Sequence, residues 1–409
     1  MRSAVASAGF AALVWAAGTP DPASAKPSVT AQLQALIDGY VADRAAIEGI
    51  SGVALRVDRG GGKPPIALYT GDDGLPDKKP IGASTLFQIG SNTKLFTAVL
   101  VLKLEAEGRL TIDQTVGRYL PQYPAWRAVT IRSLLNMTSP LRNYSETVEI
   151  GQKAAADLHY QFTDRELIAA VYPGDNLPPA SKWFYSNTNN IVAALIIEAV
   201  THMSYKDALE QYLFSPLHLA DTSYPNAATP PDVVARLPRG LYENAACQLY
   251  QKQPCTKPIL GPLVGRDMRT QNLSWAGAAG AIISTPRDVE SWIRALFSGK
   301  VLPPQQMHEM ESLVSSETGR KIDDVSPSNP RGFGLDVARV YDARVGKAFW
   351  FYQGETMGYR VVFVYYPGED LLITGATNSQ APDGQDQFGK TVMGGAAEIL
   401  LKAKPASTH

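Results

Sequence analysis

The strongest constraint on this chain is a stretch with almost no polar face. In SNTKLFTAVLVLKLEAEG, apolar side chains stand at Leu95, Phe96, Ala98, Val99, Leu100, Val101, Leu102 and Leu104. The pattern predicts a helix from Asn92 to Glu107, closed by Gly108. A helix that is apolar nearly all round has to be covered on every side, so the fold must be built around it. The chain has 409 residues, 45% of them hydrophobic, and those outside the helix can supply that cover in two or three structural units.

The flanking segments say what kind of cover. Residues 30–48 carry helical periodicity, and Gly52 to Val57 with Ile66 to Thr70 read as two strands around a Gly/Pro turn. Residues 110–270 are mainly helical pieces broken by Pro and Gly, the clearest being Thr130 to Met137 and Asn189 to Thr201. A helix from Pro286 to Phe297 follows, with Thr285 placed to cap it and Pro286 at its first position. Then come four short aromatic and β-branched segments: Gly332 to Val337, Ala348 to Gln353, Tyr359 to Tyr366 and Leu371 to Thr377. A helix from about Gly389 to Lys402 ends the chain. Strands at both ends with helices between them predict an α/β (α+β) domain from residues 26–90 and 275–409, interrupted by a mainly helical insertion at 91–274.

Three segments could carry chemistry. Ser91-Asn92-Thr93-Lys94 opens the apolar helix directly after Gly90. Residues three apart share a helix face, so the Lys94 amine can reach the Ser91 hydroxyl. Burial and the positive helix end both favour an uncharged amine that takes the serine proton. A Ser-x-x-Lys spacing arises by chance once or twice in about 400 residues, and the alternative is a capping serine beside an exposed lysine. The apolar surroundings weigh against an idle ammonium. The second segment, Tyr185-Ser186-Asn187, precedes another apolar helix; alone it reads as a loop tyrosine with a capping asparagine. Beside a lysine, however, a tyrosine hydroxyl can relay protons, and an asparagine amide can hold a lysine and a substrate amide. The third lies in FWFYQGETMGYRVVFVYY, where Gly354 on a strand edge lets another backbone approach. The N–H groups of Ser91 and Glu355 could then form a two-donor oxyanion hole; the alternative is a bulge glycine in an ordinary strand.

The three segments in order, with TLFQIGSNTK, TIRSLLNMTSPL, AGAAGAIISTPRDVESWIRALFSG, GFGL and ITGATNS around them, resemble the serine β-lactamase and penicillin-binding family. The nearest group within it comprises class C β-lactamases, D-alanyl-D-alanine carboxypeptidases and family VIII esterases, which have Tyr-x-Asn as second motif beside the Ser-x-x-Lys pattern. The likeness runs from Gly52 to Leu401. It implies an antiparallel sheet flanked by helices, a helical domain, and a site in the cleft between them. It further implies Ser91 as nucleophile, Lys94 as base and Tyr185 as relay. Asn187, Tyr352, Gln353, Gly354 and Glu355 would be substrate-binding. A small-molecule or peptide substrate is implied, namely a peptidoglycan stem, a β-lactam or an ester. Two departures stand out. Tyr352-Gln353-Gly354 replaces a Lys or His before a small polar residue and Gly, so the attraction for a substrate carboxylate is lost unless Arg360 supplies it. Thr138-Ser139-Pro140 stands where many relatives have Ser-Gly.

The leading expectation is therefore a D-alanyl-D-alanine carboxypeptidase-like or β-lactamase-like amide hydrolase. A carboxylesterase on neutral esters and a penicillin-binding sensor with little turnover remain as alternatives. A Ser-His-Asp hydrolase is disfavoured because G-x-S-x-G does not occur. His159, His202, His218, His308 and His409 lack ligand spacing, so neither metal nor cofactor is expected. The net charge of −1 leaves no footprint for nucleic acid.

Arg2, the apolar run Ala4 to Gly18 and Ala23-Ser24-Ala25 read as a signal peptide over residues 1–25. The run is short of the ~20 residues a membrane span needs, which argues against a retained anchor. The mature chain is expected to be secreted or periplasmic. In that setting a disulfide between Cys247 and Cys255 is reasonable, with two unpaired thiols as the alternative.

Overall fold

In the computed structural model, which describes residues 27–173, 182–225, 227–242, 258–380 and 387–402, the strands from both ends of the chain join one sheet. In chain order these are β1 (Gly52–Asp58), β2 (Ile66–Gly71), β3 (Phe87–Gln88), β4 (Ile283–Ser284), β5 (Leu313–Ser315), β6 (Lys321–Ile322), β7 (Arg331–Phe333), β8 (Ala338–Asp342), β9 (Lys347–Thr356), β10 (Tyr359–Tyr366) and β11 (Leu371–Thr377). Nine of them form a sheet in the order β2-β1-β11-β10-β9-β8-β7-β5-β6, while β3 and β4 pair separately. Every ladder in the large sheet is antiparallel, including the pairing of β1 with β11, where Val53 faces Thr377. The mixed α/β class with an antiparallel sheet flanked by helices is as expected. The expected signal peptide and the Cys247–Cys255 pair lie outside the described residues.

Strand alternation makes the sheet two-faced. Val53, Leu55 and Val57 of β1, Val362 and Val364 of β10 and Ile373 of β11 pack under Leu33, Ile37 and Tyr40 of the Val29–Glu48 helix and Ala396 of the last helix. Their neighbours in sequence, Ala54, Val361, Phe363, Leu372 and Ala376, face the other way, toward Phe96 and Trp292. Those two rings stack 4.3 Å apart and tie the apolar helix to the Pro286–Phe297 helix. Each fully buried Val, Leu, Ile or Phe among them contributes on the order of 1.5–3 kcal/mol.

The apolar helix runs from Thr93 to Ala106, and all its residues are buried but Lys103, Glu105 and Ala106. It does not begin at Asn92 as expected. Gly90–Asn92 form a 3-10 turn in front of it. Gly332 to Val337 is likewise not one strand: Gly334 N–H bonds Val337 C=O, and Asp336 takes a positive φ of 53°, so the chain turns between β7 and β8. The last helix is preceded by a π-helical segment, Phe388–Met393, and is α-helical only from Gly394 to Lys402.

One detail of register matters for the site. β8 pairs with β9 only from Lys347 to Phe351, whereas β10 pairs with it up to Thr356. From Tyr352 to Thr356, β9 is therefore an edge inside an otherwise continuous sheet.

Candidate active site

The short β3–β4 ladder delivers the chain to the turn at Ser91, and three bonds pin that turn. Ile89 N–H donates to Ile282 C=O (2.9 Å), and Ile282 N–H donates to Thr93 Oγ1 (3.1 Å). Asn92 Nδ2 reaches Val361 C=O on β10 (2.8 Å). Ser91 is thus fixed from both the sheet and the Ile282 segment, not merely carried at a helix end.

Gly90 and Gly354 explain how closely the turn and β9 approach. A Cβ on Gly90, whose φ is +51°, would lie 2.5 Å from Glu355 N; one on Gly354 would lie 1.8 Å from Ile89 O and 2.7 Å from Ser91 N. Only glycine allows this at either position. The main-chain nitrogens of Ser91 and Glu355 both stand at this close approach, where a two-donor anion site would need them.

Ser91 Oγ has two partners among the described residues. Lys94 Nζ lies 3.0 Å away and Tyr185 Oη 2.7 Å away. Lys94 is fully buried, donates a second bond to Ala279 C=O (2.6 Å), and sits 4.9 Å from the centroid of the Tyr185 ring. The serine does not cap the helix, and the lysine does not reach solvent. Tyr185 is positioned by Phe184, whose N–H donates to Met137 C=O (2.8 Å), and by the Trp183 ring beside it.

The remaining expected residues divide. Asn187 starts the Thr188–Thr201 helix without capping it; its Nδ2 donates to Ser145 Oγ (2.9 Å) and its N–H to Asn143 Oδ1 (3.1 Å). It is half-buried behind Ser145, and Ala279 C=O takes the lysine contact that an asparagine amide could have made. Tyr352 and Gly354 face Ser91, because they oppose Phe363 and Val361 on the same side of the sheet. Alternation turns the side chains of Gln353 and Glu355 to the other face, where Gln353 Nε2 donates to Glu355 Oε1 (2.6 Å), so Glu355 meets Ser91 through its main chain. Arg360 cannot serve a substrate carboxylate. It opposes Glu355 on that far face, is fully buried, and is ion-paired with Glu48 while donating to Ser379 O (3.1 Å) and Tyr40 Oη (3.3 Å). A side chain one residue out of phase with cleft-facing Val361 cannot reach around the sheet.

Sequence reasoning missed Asp336. Its carboxyl is fully buried and accepts from Asn190 Nδ2 (2.6 Å). Burial pushes it well above the usual carboxylate range, although the Lys94 charge and the Asn190 bond pull the other way. Nothing in GFGLDV distinguishes it from an ordinary turn aspartate. Burial, then the neighbouring Tyr185 and Asp336, likewise raise the Tyr352 phenol well above its usual range, so it is neutral at any working pH.

Two hollows flank the site. One, of about 610 Å³, is lined by Ser145, Val148, Ile150, Tyr242, Trp275 and Met357, with Glu146 and Glu355 also at its wall and no lysine, arginine or histidine among the described residues. The other, of about 880 Å³, runs from Trp183, Tyr185 and Tyr352 past Phe333 to exposed Arg331.

Comparison with known proteins places this geometry in context. The Beta-lactamase family matches residues 34–398. Penicillin-binding protein 4* of Bacillus subtilis (strain 168) is 30% identical over 252 residues, which is 61% of this chain and 53% of that protein. The chain thus spans about half the length of this relative. Among solved structures, a D-stereospecific amidohydrolase from Streptomyces sp. superposes with a TM-score of 0.71 at 26% identity, covering 90% of this chain and 99% of that one. The D-amino acid amidase from Ochrobactrum anthropi SV3, complexed with D-phenylalanine, gives 0.72 at 24% identity over 91% and 98%, a likeness of fold.

Proposed function

The chain belongs to the Beta-lactamase family of serine hydrolases, and we propose that it cleaves amides or esters through an acyl-enzyme on Ser91. One observation carries this: a serine hydroxyl held at once by a buried amine at 3.0 Å and a phenol at 2.7 Å. Lys94 takes the hydroxyl proton as Oγ attacks the carbonyl carbon. The resulting oxyanion sits between the N–H groups of Ser91 and Glu355. Tyr185 gives its proton to the leaving amine or alcohol, and water then hydrolyses the ester on Ser91. Asn187 and the open edge of β9 at Gly354 hold the substrate backbone.

The substrate in this reading carries no carboxylate beside the scissile bond. Tyr352 is neutral where a cation would be needed, Arg360 is committed to Glu48, and the smaller hollow, mostly apolar in surface with Glu146 and Glu355 at its wall, has no cation among the described residues. That supports a neutral amide or ester with an apolar acyl group, and the likeness to the Streptomyces amidohydrolase supports the amide. Carboxylate-bearing peptidoglycan stems and β-lactams come second, supported by the match to a penicillin-binding protein. Export is part of the proposal and rests on the segment from Met1 to Ala25.

The test is mass spectrometry and turnover with D-phenylalanine amide, p-nitrophenyl butyrate, benzylpenicillin and a D-Ala-D-Ala peptide. Wild type should turn over the first two, and Ser91→Ala none. Faster cleavage of the two carboxylate substrates would overturn the substrate assignment. A lasting Ser91 adduct without turnover of any substrate would make the protein a penicillin-binding sensor.

A further inference from the structure

One hydroxyl in the site has no evident structural use. Tyr352 is 5% exposed and its ring packs edge-on to Phe333 at 6.1 Å. Its Oη lies buried beside the Tyr185 phenol, which acts on it as a hydrogen-bonding neighbour, yet it makes no hydrogen bond of ordinary length and angle to any described residue. A buried hydroxyl without a partner destabilises a fold, and a phenylalanine would fill the same space without that penalty.

We propose that Tyr352 is a positioning residue for the proton relay, its buried O–H donating to Tyr185 Oη as Tyr185 gives up its own proton to the leaving group. The inference rests on the reading of Ser91, Lys94 and Tyr185 above. In that step the Tyr185 O–H bond breaks and an N–H or O–H bond forms on the departing amine or alkoxide. Negative charge stays on Tyr185 Oη until the Lys94 ammonium, which holds the proton from Ser91, returns one. Lys94 lies over the ring of Tyr185, but its hydrogen bonds go to Ser91 Oγ and Ala279 C=O, so neither is aimed at that oxygen. Tyr352 is on the same face of β9 as Gly354, hence on the Ser91 side, and its phenol keeps its proton because burial makes ionisation costly. A donor to a charged oxygen is stronger than one to a neutral oxygen, so the bond tightens as the leaving group departs. A neutral phenol does this without the attraction for substrate carboxylates that a lysine would bring.

Leaving-group dependence separates this role from a packing role. p-Nitrophenolate leaves with little need of a proton, whereas an ethoxide does not. Tyr352→Phe is expected to lower kcat/KM for ethyl butyrate about 10- to 100-fold while changing p-nitrophenyl butyrate by less than about threefold. Its thermal midpoint should equal or exceed that of wild type. Tyr352→His, which restores a donor, should recover part of the ethyl ester activity. Equal losses on both esters, or wild-type activity on both, would overturn the proposal. Ser91→Ala measured alongside distinguishes the two levels: if it is inactive while Tyr352→Phe matches wild type, the relay role alone falls. If Ser91→Ala still turns over, the acyl-enzyme reading falls and takes this inference with it.

Discussion

Replacing Gly354 with alanine adds one methyl group at the point where β9 meets the nucleophile turn. Its Cβ would stand 1.8 Å from Ile89 O and 2.7 Å from Ser91 N, whereas ordinary contact begins at 3.4 Å. Both neighbours are main chain, so no side chain can swing aside. The difference between 3.4 and 1.8 Å means that strand and turn must separate by about 1.6 Å. The turn is itself anchored by Ile282 and Val361, so the shift falls on the gap between the Ser91 and Glu355 N–H groups. A misplacement of about 1 Å at a reacting centre costs on the order of 100-fold in rate. We expect Gly354→Ala to lower kcat/KM for p-nitrophenyl butyrate by at least about 100-fold, with overpacking of about 1–3 kcal/mol seen as a lower urea midpoint. Gly368→Ala, where an added Cβ meets nothing within 4 Å, is the matched control and should leave both readings unchanged. A Gly354→Ala protein that folds and keeps more than a third of wild-type kcat/KM would refute the claim that this approach builds the anion site.

Lys94→Ala should abolish acylation of Ser91 by p-nitrophenyl butyrate, read as loss of the mass adduct; acylation at the wild-type rate would remove Lys94 from the mechanism. Glu48→Gln leaves the buried Arg360 charge without its counter-ion and should cost about 3–5 kcal/mol in urea unfolding, while the folded fraction keeps near-normal kcat/KM. A proportionate loss of kcat in fully folded protein would place that pair in the site after all. Burial, with Glu198 adding to it, lifts the Asp164 carboxyl from 3.8 to about 6. The folded chain then holds this proton longer than the unfolded chain, so the group's contribution to stability is full below about pH 4 and is lost as pH rises to about 6. Asp164→Asn should therefore raise the urea stability by on the order of 1–3 kcal/mol at pH 7.5 and by much less at pH 4; equal effects at both would refute it.

Much of the site could be read directly from residue order. Ser91 and Lys94 are three apart in one apolar helix entrance, and three residues is a distance that local geometry fixes, whether the turn is α or 3-10. Here it is 3-10, and the amine still reaches the hydroxyl at 3.0 Å. The helix at Pro286–Phe297 and the strands Tyr359–Tyr366 and Leu371–Thr377 were equally legible, because capping and alternation are properties of neighbours in the chain. Arg360 shows where such reading stops. The pattern YRVVFVYY marks a strand, but a strand has two faces, and its phase against the cleft is set by its pairing with β9. The break between β7 and β8 is not legible because the bonds that hold the turn reach distant residues: Leu335 N–H donates to Met310 C=O, Asp336 N–H to Leu135 C=O, and the Asp336 carboxyl accepts from Asn190.

The amino-acid order by itself determined that an apolar helix would carry a serine and a lysine within reach of each other, since periodicity and short spacing act along the chain. Tertiary structure alone decided that Tyr185 stands 2.7 Å from that serine, that Glu355 offers main chain and not carboxylate, and that Arg360 is spent on Glu48. Those three outcomes depend on which segments pack together and in what register, and contacts between residues about 100 or more positions apart are settled only when the sheet closes around the buried helix.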